Sequence, residues 1–454
     1  MAVTAGRPPA ARAGLTGRFR ALRGDLLVTN SFFIALSNAS MGALGFLFWI
    51  VAAHLFPPAE VGLATTLVSA AILIGYASLL GFNNTFIRYL PSSARRDDEI
   101  NTGLILVFLG ALVIGGAYVG AIPSFVPQLG FLRARPLESV AIVVFVAFGS
   151  VNLVTDAVFV AYRSARYNFL VDGLLQGTIR LALPVALVGL GAFGLFAAFG
   201  VASTAAVVAS IALLAWRFSY RPRLRVSFDV LRRVFRFGAA NYLAEMMTMA
   251  PVVALPLIVV HQRGPAEAGY FYLAMSIANM LYAVFIAVGT SLFAEGSQPG
   301  ERLGRLAHRS GRLQLIALAP AVVIAAGAHR ILSVFGSGYA GHGTTALVVL
   351  AAASPAVALK HWTAAMLRVR HQLRALVAAN FAVGAVPAVL AAWWGHRGIA
   401  WVAVAFLAGN VVAGVVGGIA LLRAPSSGAP AEPRVQPAAM AERMAAQAGL
   451  AVPS

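Results

Sequence analysis

Apolar runs of about 20 residues recur twelve times along this chain, separated by short polar or basic loops, and that repetition leaves few folds open. A run of that length spans a ~30 Å hydrocarbon core as a helix. In lipid only helices and closed barrels satisfy their backbone hydrogen bonds, and a barrel would alternate apolar with polar residues. Composition agrees: 60% of residues are hydrophobic, 11% are charged and the mean hydropathy is +0.83, whereas soluble domains carry about 25% charge. The expected class is an all-α integral membrane protein of about 12 transmembrane helices.

The runs fall at about 30–53, 62–87, 102–122, 139–161, 169–190 and 194–216, then 237–260, 268–293, 313–335, 344–366, 375–394 and 399–422. They divide the chain into a basic N-terminal tail (1–28), an N-lobe of six helices (29–216), an Arg-rich linker (217–236), a C-lobe of six helices (237–423) and an Ala/Pro/Ser-rich tail expected to be disordered (424–454). No small-residue cleavage site follows the first run, so it reads as a retained helix rather than a signal peptide.

Charge sets an orientation. The net charge is +19, almost all of it arginine, and Lys360 is the only lysine. With the N-terminus inside, one face collects the basic residues, among them Arg95, Arg96, Arg163, Arg166, the linker arginines, Arg302, Arg305, Arg309, Arg312 and Arg368. The opposite face keeps Arg133, Arg135, Arg263, Arg330 and Arg397. The positive-inside rule then predicts both termini in the cytoplasm. Charge spread through short loops does not form a nucleic-acid surface. In the linker, Arg221, Arg223 and Arg225 alternate, and Val230, Leu231, Val234 and Phe235 follow helical spacing, which predicts an amphipathic interfacial helix on anionic headgroups.

The two halves repeat. His54 to Gly62 and His261 to Gly269 both read H-x3-P-A-E-x-G, each directly after the first helix of its half. Arg163 and Arg370 both open the loop before a fifth helix, Pro184 and Pro387 fall inside those helices, and Gly194 and Gly398 are expected to start the sixth. A six-helix shift preserves orientation, so the repeats are parallel and related by an axis along the membrane normal. Two such lobes enclose a central cavity. Gly116-x3-Gly120 and the glycines at 414, 417 and 418 are expected to permit close helix packing.

Asn30 opening the first helix, Ala53 to Pro57 with Glu60-Val-Gly62, Leu80-Gly-Phe82 and Ile87 to Pro91 resemble the polysaccharide-transport and O-antigen flippase branch of the multidrug/oligosaccharidyl-lipid/polysaccharide (MOP) exporter superfamily. The resemblance implies alternating access and a polyprenyl-diphosphate-linked oligosaccharide as cargo for surface polysaccharide or lipopolysaccharide synthesis. It implies the bacterial plasma membrane as location. Membrane lipids and the pathway's polymerase or glycosyltransferases would be partners. A cation-coupled multidrug exporter and a peptidoglycan lipid-precursor flippase share the architecture and stay open as alternatives.

Ionisable groups inside hydrocarbon are costly and face a cavity or a partner. Arg180 lies mid-helix, and arginine binds phosphate bidentately without losing its charge. It reads either as a headgroup contact or as an ion pair with Asp156 or Asp172. Arg88, with Asn83 and Asn84, ends the second helix and reads as a phosphate entry site or a topological anchor. Glu245, Asp156, Asp172 and Lys360 are the coupling candidates, with snorkelling the simpler account of Lys360. His54 and His261 lack clustered ligands, so no metal is expected; no cofactor is expected either. The chain has no cysteine, no G-x4-G-K-[ST] loop, no HExxH and no GxSxG. The longest outer loop, around Pro123 to Glu138, has one acidic residue, which leaves little room for an enzyme site.

Overall fold

The computed structural model describes residues 26–296 and 303–423, and these are helical with no strand among them. The tails expected at 1–28 and 424–454 therefore lie outside the described residues, apart from 26–28. The first half runs through α1 (Leu26–Leu55), α2 (Pro58–Ser78), a short α3 (Phe82–Tyr89), α4 (Arg96–Phe125) and α5 (Pro136–Ala161). A π-helical segment (Phe169–Gln176) then continues into α6 (Gly177–Ala186), and α7 (Gly191–Phe218) closes the lobe. The second half comprises α8 (Phe228–Arg263), α9 (Pro265–Gly296), α10 (Leu303–Ile316), α11 (Ala319–Ser333), α12 (Ser337–Ala352), α13 (Ser354–Val369), α14 (Leu373–Trp394) and α15 (Ile399–Arg423). Prolines at the first turn of α11 and of α13 break two long spans into these pairs.

Among the described residues eleven helices are long and apolar enough to cross a membrane, and α8 adds a shorter apolar stretch, Pro251–Arg263. Large side chains such as Val113, Val208, Ile316, Val322 and Phe381 are exposed on the outside, as a lipid-facing wall requires. The interfacial helix expected over 230–236 is not separate: it is the first turns of α8, which run on into the seventh span.

The lobes meet where the repeated motif places two glycines. Pro58 and Pro265 each start a helix, where a missing N–H costs nothing, and set α2 against α9 at the Arg-poor end. There a β-carbon on Gly62 would collide with the Pro265 carbonyl, and one on Gly269 would stand 2.9 Å from the Pro58 carbonyl oxygen. The contact is reciprocal, motif against motif, as the parallel repeat requires. The two motif glutamates hold the helix starts to different neighbours. The Glu60 carboxylate lies against Gly191 at the N-terminus of α7, where helix amide dipoles favour negative charge. Glu267 Oε1 is 3.4 Å from His342 Nδ1, whose ring stacks on Tyr270.

Two sequence expectations need correction. Gly191, not Gly194, matches Gly398: both have positive φ (+56° and +129°), both directly precede or begin the sixth helix, and they are spaced as His54 and His261 are. Gly194 instead lies one turn inside α7, against the Leu187 carbonyl. Gly116, Gly120 and Gly418 have no atom within 4 Å of a β-carbon position, so they do not mediate packing; Gly414 and Gly417 do, against Leu359 and Thr363 of α13.

The stretch between α7 and α8 is strapped to the start of α4. The Tyr220 hydroxyl donates to Asn101 Oδ1, Arg223 N–H donates to the same oxygen at 3.0 Å, and Ser227 N–H donates to Thr102 Oγ1 at 3.0 Å. Arg221 N–H reaches Asp97 at 3.3 Å. Burial, with Asp97 and Tyr162 nearby, pushes the Tyr220 hydroxyl up to about 12. The folded protein thus favours neutral Tyr220, and this contribution holds below the ordinary tyrosine value and fades as pH rises through about 12.

Tyr220→Phe is expected to destabilise the strap by about 1–2 kcal/mol, because Asn101 loses its buried donor, and limited proteolysis between 219 and 227 should accelerate. Gly62→Val leaves no room for the helix contact, so the lobes must part at the Arg-poor end. A single cysteine placed at Tyr272 in this cysteine-free chain should then be modified faster from that side.

Candidate functional site

Two clusters of polar groups lie within the helices, and the chain's local irregularities create the first. A π-helix interrupts the fifth span at Phe169–Gln176, and such single-turn bulges re-aim side chains at functional sites. Here the segment turns Asp172 and Gln176 into the N-lobe interior. Asp172 is 2% exposed and accepts from Asn152 Nδ2 at 3.0 Å. The carboxyls of Asp172 and Asp156 are within hydrogen-bonding reach of each other, across α5 and the π-segment. Gln176 donates to Ser203 Oγ of α7 at 2.9 Å, and Asn168 Nδ2 donates to the Asp156 carbonyl at 3.3 Å. Ser37 and Ser40 of α1 pack against Gly173. One oxygen each of Asp156, Asn152 and Asn168 is buried without a hydrogen-bond partner.

Arg180 forms the second cluster, two turns further along the same span and close to where the lobes meet. Its guanidinium carbon lies 4.1 Å over the Phe199 ring. Trp49 is 5.8 Å from Phe199 and 5.1 Å from Tyr272, which comes from α9 of the other lobe. Tyr272 and Asp172 are its electrostatic neighbours, yet no ion pair within 4.0 Å joins Arg180 to Asp156 or Asp172 among the described residues. Arg180 Nε is buried and without a hydrogen-bond partner. A guanidinium without a tight ion pair at membrane depth is expensive; the ring face offsets part of that cost. The alternative of a tight ion pair is thus not the arrangement formed.

The other sequence candidates are dispersed. Asn83, Asn84 and Arg88 lie on α3 at the Arg-rich end, apart from the mid-helix Arg180; Arg88 is exposed and lies 5.4 Å from the Tyr89 ring. Lys360 sits in the C-lobe on α13, 7% exposed, with Nζ 3.4 Å from His361 Nε2. It is enclosed by protein rather than extended to a rim as a snorkelling lysine would be. The Glu245 side chain lies outside the described residues. Among the described residues no group of three His, Cys, Asp or Glu could hold a metal.

Asn152, Gln176 and Ser203 escaped sequence reading, as did the aromatic set Trp49, Phe199 and Tyr272. Asn152 had a signal: it stands one helical turn before Asp156, on the same face. The aromatics had none, since aromatic residues at helical spacing are ordinary core.

A family model described as "Polysaccharide biosynthesis protein" matches residues 51–342, more than half of the chain. The chain belongs to that polysaccharide biosynthesis protein family. No curated protein matches it. Solved structures supply the fold. An inward-facing MATE family multidrug resistance transporter of the MOP superfamily aligns at TM-score 0.65 and 17% identity, covering 84% of this chain and 93% of that one. The lipid II flippase MurJ, in an inward closed conformation, aligns at TM-score 0.70 and 11% identity, covering 87% and 88%. A MOP superfamily transporter from Pyrococcus furiosus aligns at TM-score 0.60 and 17% identity, covering 88% and 96%. This family member therefore has the two-lobed MOP fold.

If Arg180 has no tight carboxylate partner, Arg180→Met should leave the thermal midpoint of the purified protein unchanged or raised. A loss of about 3–5 kcal/mol would instead be the mark of a broken buried ion pair.

Proposed function

We propose that this family member is a flippase that carries polyprenyl-diphosphate-linked oligosaccharide across the bacterial cytoplasmic membrane for cell-surface polysaccharide assembly, and that it is not an enzyme. One observation carries the reading: Arg180, a guanidinium without a carboxylate partner, stands between the lobes in an aromatic setting made by Phe199 of one lobe and Tyr272 of the other. A fixed cation there suits a diphosphate, and aromatic faces suit sugar rings. The polysaccharide family match and the fold shared with exporters and a lipid II flippase support the same choice.

In this reading the Arg-rich face and both termini are cytoplasmic. The headgroup enters from that face past Arg88, Asn83 and Asn84, and the lipid tail stays in the bilayer. The Gly62–Gly269 contact is the outer seal, closed in this conformation, and the lobes rock to open it and expose Arg180 on the other side. The Asp156–Asp172 pair is the coupling site. Two carboxyls this close can take up or release a proton as a unit, on and beside the span that carries Arg180. Glu245 and Lys360 remain subordinate candidates for coupling. Arg221, Arg223 and Arg225 would hold the strap against anionic headgroups.

Depletion of the protein is expected to leave completed polyprenyl-diphosphate oligosaccharide on the cytoplasmic leaflet, read by leaflet-resolved lipid analysis. An unchanged lipid profile would contradict the reading. Asp156→Asn with Asp172→Asn should abolish the dependence of transport on a proton gradient while leaving headgroup binding intact. Dependence on the gradient that survives in this variant would remove the pair from coupling.

A further inference from the structure

A second basic site lies on α10, away from Arg180. This helix packs on α9 and α13 through Leu306, Ser310 and Gln314: Trp362 Nε1 donates to Ser310 Oγ at 3.1 Å, and Gln314 Nε2 donates to the Phe285 carbonyl at 3.2 Å. Its opposite face carries Arg305, His308, Arg309 and Arg312 at spacings of three and four, so that all four project on one stripe. Together with Gly304 and Leu313 of the same helix they form one side of an open space of about 700 Å³, and among the described residues no acidic residue lines it. His308 is held by Nδ1, 3.2 Å from the Gly304 carbonyl. Among the described residues no ion pair involves any of the three arginines.

Three guanidinium groups on one stripe repel one another, and a helix does not need such an arrangement to obey the positive-inside rule. Charges distributed anywhere in the loop would serve that rule. Gathering them on one exposed helix face has a cost that a bound anion repays. The open space beside the stripe has room for a diphosphate. Arginine's planar fork contacts phosphate oxygens in pairs. The stripe begins at the Arg-rich end of the C-lobe; α1 of the other lobe meets this lobe nearer the opposite end, through Phe46 against Phe335 at 5.3 Å and Trp49 against Tyr272.

Building on the flippase reading, we infer that the α10 stripe of Arg305, His308, Arg309 and Arg312 is the site that first captures the diphosphate of the lipid-linked substrate, before it reaches Arg180. The occupant is the transported lipid diphosphate rather than a resident phospholipid, because the stripe presents several forked donors along one helix face, and a single phosphodiester would use only part of them.

The test uses the full chain in nanodiscs, with a polyprenyl diphosphate, inorganic pyrophosphate and phosphatidylglycerol as three separate probes. Arg305→Gln with Arg309→Gln and Arg312→Gln should weaken polyprenyl diphosphate binding by about tenfold or more, and weaken competition by pyrophosphate in parallel, with phosphatidylglycerol retention unchanged. The triple lysine variant, which keeps charge and topology, should fall between the two and also report on folding through its melting curve. Unchanged polyprenyl diphosphate affinity in the glutamine variant overturns this site while the flippase reading stands. An equal loss for phosphatidylglycerol overturns it too, making the stripe a general anionic-lipid contact. A wild-type protein that binds no polyprenyl diphosphate overturns both.

Discussion

The two halves of this protein touch where neither can carry a β-carbon. Gly62 and Gly269 occupy equivalent places in two copies of one motif, and each faces the carbonyl of the proline that starts the other helix. In a bilayer there is no hydrophobic force between helices, so backbone approach and van der Waals contact have to supply the cohesion. Glycine makes that approach possible. The prolines fix where the helices begin, and the glutamates tie those beginnings to α7 and α12. The rest of the architecture follows from this seam, with the lobes joined at the Arg-poor end and the polar groups placed below it.

The fold repeats but the buried chemistry does not. The N-lobe holds a carboxyl pair, Asp156 and Asp172, supported by Asn152. The C-lobe holds Lys360 beside His361. Arg180 stands between them with an aromatic neighbour from each lobe, Phe199 and Tyr272. Helix packing constrains both halves alike, whereas the buried ionisable groups are not held to that symmetry. Duplication therefore preserves the glycines and prolines of the seam while the ionisable groups diverge.

Much of the scaffold was legible in the sequence. Run length gave the helices, loop arginines gave two unequal faces, and the motif His54 to Gly62 with its copy gave the repeat. Each of these signals is carried by residue type alone. What stayed hidden depends on rotation about a helix axis. These helices are apolar on all sides, so no amphipathic stripe says which face is inside. Gly116 and Gly120 looked like a packing face and point into open space, while Gly191 was hidden by the nearby Gly194. Asp156 and Asp172 were each visible as buried acids, but their meeting depends on a π-bulge that leaves no mark in composition. The aromatic residues around Arg180 come from α1, α7 and α9, far apart in sequence.

In the proposed transport cycle the seam opens and closes. The chain has no cysteine, so Ala59→Cys with Ala266→Cys, one turn above the two glycines, gives a clean pair to join by a disulfide or a short bismaleimide. Leaflet-resolved transfer of a polyprenyl-diphosphate oligosaccharide in proteoliposomes is then measured before and after joining. Transfer is expected to stop when the pair is linked and to return when a disulfide is reduced. Transfer at the full rate with the seam locked would contradict the proposed cycle.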